Sequence, residues 1–352
     1  MKLTVIAILA LTASAAWALE LETPHVGADI ILEYLHFSED STYNAQGIYS
    51  QETDRYRIRK IAVLVEGRAG ENISYFGEAT MASCNGGTSV SIAEAGVFVD
   101  PAAVPFKIGI GQLHAMRGFS LGEECGQSVL LDKPVWHKVV SPSCHSLGVV
   151  SEFEMDTNGS GAFSSQFGYF NGSSGTAEED WDFVGWLQYH TPVEGLSVGG
   201  FYEKMHLEMN PETEGYEDAD RFGAGIDLDN GTVMARIEYT AVSGVPMATR
   251  VSGCDASCED IENTGLFLQA AYNFSPDLSW LYGVRPYAGY QVWDRWSNAG
   301  SGDWKFSWME AGVQVNVEHD SWVTVGWRGP AGTPDDQPED SSVMVVRIGT
   351  EI

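Results

Sequence analysis

Residues 221–240 read RFGAGIDLDNGTVMARIEYT, and the fold turns on them. Phe222, Ala224, Ile226 and Leu228 alternate with Arg221, Gly223, Gly225 and Asp227. After Asp229-Asn230-Gly231, Val233, Ala235, Ile237 and Tyr239 alternate with Met234, Arg236 and Glu238. A period of two places one set of side chains on each face of a strand, and Asn-Gly supplies the positive φ of a tight hairpin turn. One face of this hairpin is apolar and the other carries Arg, Asp and Glu. About ten residues per tilted strand also crosses the hydrocarbon core of a bilayer. A soluble sandwich would show the same alternation, so the fold is decided by repetition along the chain.

The beat does repeat. Apolar alternation predicts strands at 25–37, 56–67, 73–81, 91–100, 106–114, 147–156, 162–171, 181–190 and 196–207. It continues through the two strands of the hairpin and at 265–274, 285–293, 305–318, 322–329 and 341–352. That makes sixteen. Short turns alternate with longer polar connections such as 209–220, 243–264 and 330–340, the asymmetry of outer-membrane barrels with short periplasmic turns and long outer loops. The expected fold is an all-β, 16-stranded antiparallel transmembrane β-barrel over 19–352. A secretory signal peptide is expected at 1–18, from Lys2, an apolar run and Ala16-Trp17-Ala18. The chain ends in Ile352 rather than an aromatic residue.

Composition narrows the function. Forty-nine acidic against nineteen basic residues give a formal net charge of −30, which excludes nucleic acid as a partner. No HExxH or paired-carboxylate motif appears, and the histidines scattered on strands read as packed or rim residues, so no enzyme is expected. The acid-rich loops lack the ligand order of a Ca²⁺ loop and read as solvated charge. No cofactor and no metal are expected. Cys125, His137, Cys144 and His145 are suitable zinc ligands at irregular spacing. Five cysteines in an exported chain permit disulfides, with Cys254–Cys258 and Cys125–Cys144 as candidate pairs and Cys84–Cys125 open.

The runs YRIRKIAVLVEGRAGENISYFGEATM (56–81), IAEAGVFVD (92–100) and FKIGIGQLHAMRGF (106–119) resemble the N-terminal third of the phosphate-selective porin O and P family. That resemblance implies an outer-membrane porin, a homotrimer and phosphate or anion selectivity. His114 stands where the family has a basic residue after GQ, and the Lys- and Arg-rich lining of the family is sparse. The longest loop, 118–146, is third in order and is expected to fold into the lumen, as in porin-like barrels. Its candidate constricting residues are Glu123, Glu124, Asp132, Lys133, His137 and Lys138.

If lipid touches the apolar face, the other face lines water. Its expected acids are Asp29, Glu33, Glu66, Glu78, Glu94, Glu152, Glu154, Asp182, Glu203, Asp227, Glu238 and Glu310. Its expected bases are Lys60, Lys107, Arg221, Arg236, Arg285, Arg328 and Arg347. Arg57 and Arg59 are expected at the outer rim, balanced by Glu52 and Asp54. Twelve acids against seven bases favour cations in the pore, against the phosphate preference that the resemblance implies. The sequence therefore predicts passive diffusion of ions and small hydrophilic solutes with a weak cation preference. A non-conducting structural or adhesin barrel is the rival.

Overall fold

The computed structural model describes residues 22–37, 54–81, 90–101, 104–122, 145–157, 159–171, 181–210, 215–243, 261–276, 278–297, 304–318, 320–331 and 342–351. The first strands are β1 (His25–Phe37), β2 (Arg55–Arg68), β3 (Ile73–Met81), β4 (Val90–Val99) and β5 (Phe106–His114), followed by a one-turn helix α1 (Phe119–Gly122). Next come β6 (His145–Asp156), β7 (Ala162–Asn171), β8 (Trp181–His190), β9 (Leu196–Asn210), β10 (Gly215–Asp229) and β11 (Val233–Ser243). The last are β12 (Ile261–Tyr272), β13 (Gly283–Ser297), β14 (Trp304–Glu318), β15 (Ser321–Pro330) and β16 (Val343–Glu351). Each strand pairs antiparallel with its chain neighbours, and β1 pairs with β16 from Asp29↔Glu351 to Phe37↔Val343. The sheet is closed. Every strand then has a partner on both sides, so the wall offers no unpaired edge.

The 221–240 hairpin is β10–β11, with Ile226 directly opposite Ile237 and Asp227 opposite Arg236. Its turn uses both residues of the Asn-Gly pair, by different means. Gly231 takes φ 79°, while the Asn230 carboxamide oxygen accepts from the N–H groups of Thr232 and Val233. Ile226 (47% exposed) and Ile237 (49%) face outward, whereas Arg221, Met234, Arg236, Glu238 and Thr240 are buried on the other face. The same alternation runs round the wall, with Leu32, Val63, Ile110, Leu187, Val325 and Ile348 among the exposed set.

The ladder outlasts the apolar pattern. Residues 215–220, expected in a loop, form the first part of β10 and pair with 204–210 of β9. Likewise Ile261–Thr264 belongs to β12 and pairs with Asp294–Ser297. Both extensions lie at the rim carrying the long connections, beyond the end of the apolar alternation. The outward polar groups sit there too. His36 Nδ1 lies 2.7 Å from Asp54 Oδ2, and the Tyr202 hydroxyl donates to Asp220. Rings gather at both rims. Tyr34 packs on Tyr56 and Trp181 between Tyr169 and His206, while Phe163–Tyr189 and Tyr272–Phe274 meet near the short turns. Amphipathic rings are the side chains that membrane–water interfaces favour.

The β4–β5 pair makes a close backbone approach. Gly111 has φ 152°, and a Cβ there would lie 2.1 Å from the Ala95 carbonyl oxygen. Gly111→Ala is expected to cost about 1–3 kcal/mol by forcing a strained backbone. Urea unfolding of the detergent-refolded chain checks it, and an unchanged midpoint would count against that strain.

Candidate functional site

The ionised side chains of the wall are arranged by register. Glu33 lies directly opposite both Arg57 and Arg347, Asp227 opposite Arg236, Glu310 opposite Arg328, Lys107 opposite Glu152 and Arg221 opposite Glu203. Opposite charges at facing positions stabilise a sheet pair. The distances are those of direct ion pairs: Lys107 Nζ–Glu152 Oε2 2.7 Å, Arg236 Nε–Asp227 Oδ1 2.8 Å and Arg328 Nη2–Glu310 Oε2 2.9 Å. Lys60 Nζ donates to Asp29 Oδ2 at 2.8 Å and lies 3.4 Å from Glu78 Oε1. Arg285 is half-buried and donates to the Met234 sulfur at 3.0 Å. Glu94 is half-buried opposite Glu78. Two of the expected lining residues are held less closely. Glu66 is exposed beside His25, and Glu154 is exposed near the short-turn rim.

Arg57 and Arg59 lie near the long-connection end of β2, at the height expected of them, but on the inner face. Strict alternation would set them on the face opposite Lys60. Instead the β1–β2 register shifts between Ile31 and Leu32, leaving Arg59 as an extra residue between Ile58 and Lys60. A bulge of this kind returns the side chains beyond it to the other face. Arg57, Arg59 and Lys60 thus all point to the charged side. Glu33 receives Arg57 Nε at 2.6 Å and Arg347 Nε at 2.6 Å, with Arg59 Nε at 3.5 Å. Asp54 pairs with His36 instead, and Glu52 lies outside the described residues. The clue was in the spacing: charges at 57, 59 and 60 share a face only if one residue is extra.

The segment after β5 defines the most confined region. β5 adjoins only β4 and β6 in the wall, yet residues 116–120 touch β7, β8, β9 and β11. They reach those strands by crossing the barrel interior. The Met116 N–H donates to Gln166 Oε1 at 2.9 Å. Arg117 Nη2 lies 2.7 Å from Glu203 Oε1 and 3.9 Å from Asp182, and Arg221 Nη1 lies 2.6 Å from the other Glu203 oxygen. All four groups are buried. The Ser120 N–H donates to Glu238 Oε1 at 3.0 Å, and the Phe119 ring meets Trp186 edge-on at 5.1 Å beside Phe201. Arg117 lies just before the 118–146 loop, and its sequence position alone gives no sign of this role.

The interior also holds an apolar area. Leu35, Val343, Val345, Met234, Phe267, Ala271 and Tyr287 form one buried cluster across β16, β1 and β11–β13. Side chains packed against one another inside a barrel need not be polar. Glu123, Glu124, Asp132, Lys133, His137 and Lys138 lie outside the described residues. So do Cys84, Cys125, Cys144, Cys254 and Cys258, and with Cys125, His137 and Cys144 the zinc alternative.

No protein-family model matches this sequence, and no characterised protein matches it at sequence level. Solved structures match its fold. An anion-selective porin from Comamonas acidovorans superposes with a TM-score of 0.66 at 10% identity, covering 94% of this chain and 99% of that one. The outer membrane channel DcaP of Acinetobacter baumannii gives 0.65 at 10%, covering 94% and 97%. The in-vitro folded OmpT of Vibrio cholerae, an outer membrane protein described in a trimer form, gives 0.62 at 12%, covering 94% and 99%. At these identities the likeness establishes a shared barrel fold.

Proposed function

We propose that this protein is a porin of the bacterial outer membrane, exported by residues 1–18, through which ions and small hydrophilic solutes diffuse passively. One observation carries the reading: a closed wall is apolar outside and ionised inside, and residues 116–120 cross its interior to bind the far strands. Lipid is the partner of the outer face. The charged inner groups Asp29, Glu33, Lys60, Glu152, Arg236, Arg328 and their neighbours line the path. Residues 118–146 narrow it, with Glu123, Glu124, Asp132, Lys133, His137 and Lys138 as its charged members. The same reading makes the functional unit a homotrimer, by analogy with the trimeric similar protein. It assigns no catalytic step, cofactor or metal. A non-conducting barrel is the alternative.

Selectivity follows from where the charge lies. With Arg57, Arg59 and Arg117 inside, the inner wall approaches parity. The excess acid lies in the connections, as in Glu178-Glu179-Asp180 and Asp335-Asp336, which join strands at one rim. An acidic mouth concentrates cations and leaves a weak cation preference. Reversal potentials across a planar bilayer in a KCl gradient are expected to show K⁺ favoured over Cl⁻. The preference should fade toward 1 M salt, where the Debye length falls to about 3 Å. Preference for Cl⁻ at low salt would replace this reading with the anion-selective one.

A further inference from the structure

We propose that Ser197 and His190, at the short-turn mouth of the barrel, form a nucleophile–base pair that hydrolyses small neutral carboxylic esters. This activity goes beyond the channel reading and does not depend on it, because none of its groups fastens the crossing segment.

Register brings the groups together on three adjacent strands. His190 is the last residue of β8 and stands directly opposite Ser197 of β9, while Ser164 of β7 stands opposite Gln188. All four share the inward parity of Gln166, Asp182, Trp186 and Glu203. Ser164, Gln188 and His190 are half-buried and Ser197 retains 8% exposure, so solvent reaches them from the mouth.

Hydrogen bonds set the state of the ring. Ser197 Oγ lies 3.0 Å from His190 Nδ1, and Gln188 Nε2 lies 3.5 Å from the same nitrogen. An amide nitrogen only donates, so Nδ1 carries the lone pair and Ser197 turns its O–H toward it. Nε2 then carries the proton and donates to Ser164 Oγ at 3.2 Å. A hydroxyl that donates to a base, itself oriented by a third group, is the arrangement of an activated nucleophile. Ser197 is also the centre of Gly195-Leu196-Ser197-Val198-Gly199, but it sits on an extended strand rather than at a strand-to-helix elbow. Its neighbours, not the pattern, mark it out. Glu154 stands opposite Ser164, and Asp227, itself paired with Arg236, stands opposite Ser197. Carboxylates thus flank the imidazolium that forms during reaction, and they disfavour an anionic substrate.

The chemistry then follows. Ser197 Oγ attacks the ester carbonyl carbon as its proton passes to His190 Nδ1, and the second N–H of the Gln188 amide donates to the oxyanion. The bond to the leaving alcohol breaks, and His190 returns the proton to that oxygen. Water, deprotonated by the same nitrogen, cleaves the acyl group from Ser197 and releases the carboxylic acid. Ser164 is a positioning residue that keeps Nδ1 turned to the nucleophile.

The detergent-refolded full chain is tested with p-nitrophenyl acetate and a fluorophosphonate probe. A burst of about one p-nitrophenolate per chain is expected, with the acetyl or phosphonyl group mapped to Ser197 by peptide mass spectrometry. Ser197→Ala should abolish both burst and label. His190→Asn should slow acylation by about 10²–10⁴-fold, the share of a general base, and Gln188→Ala by about 10²-fold. Ser164→Ala should lower kcat severalfold and leave KM unchanged. Heat-modifiable gel mobility confirms that each variant is folded. Hydrolysis that survives Ser197→Ala would be the work of an imidazole alone and would overturn the assignment. So would a label on another residue, or no burst from the folded chain.

Discussion

Replacing Arg117 with Met is expected to destabilise the barrel by about 3–5 kcal/mol and to enlarge its single-channel conductance. The substitution keeps most of the side-chain bulk and removes the charge that Glu203 meets at 2.7 Å. Glu203, Asp182 and Arg221 would remain buried together, two carboxylates against one guanidinium. Breaking a buried pair by deleting one partner costs several kcal/mol because the other charge is left in a poorly solvating site. Glu203→Gln in the same background should restore part of the loss, since it removes the surplus negative charge. The conductance arm follows from geometry. Arg117, Met116 and Ser120 fasten the crossing segment to β7, β9 and β11, and the arginine is its only ionic fastening among the described residues. Denaturant titration in detergent measures the first effect and planar-bilayer recording the second. A variant of lowered stability but unaltered conductance would show that the crossing segment does not narrow the pore.

Ile226→Arg is expected to cost about 2–4 kcal/mol in a bilayer, the penalty of a basic residue on the lipid side of an outer-membrane strand near mid-height. Ile226 is outward, exposed and directly opposite Ile237, so the new charge would have only apolar neighbours across the pair. Thr232→Arg, in the exposed turn of the same hairpin, should shift stability by no more than about 0.5 kcal/mol. Reversible folding into lipid vesicles against urea gives both values. Similar costs at the two positions would contradict the assignment of this face to lipid.

These two substitutions bracket what was readable in advance. Strand number and face assignment were legible because lipid imposes one rule on every second residue, and 221–240 obeys it without exception. The rule stops where the lipid stops. Gly215–Asp220 and Ile261–Thr264 continue their strands through backbone pairing after the apolar alternation has ended, so their sequence resembled a loop. Periodicity also assumes an unbroken count, and the extra residue Arg59 defeated it locally. Contacts across the interior carried no sequence signal at all. Arg117 finds Glu203 across 86 residues of chain, and only closure of the barrel makes them neighbours.

The pairing of Glu33 with Arg347 has a consequence for assembly. These residues stand 314 positions apart and meet where the last strand docks on the first. Arg57 sits opposite Glu33 in the opening hairpin, so the acid is in place before the cylinder is shut. A one-residue slip at that seam would swing Arg347 out among hydrocarbon chains and bring Ile348 against the acid. Only the correct alignment lets the final stitch be drawn without stranding a charge, so the seam proofreads its own register.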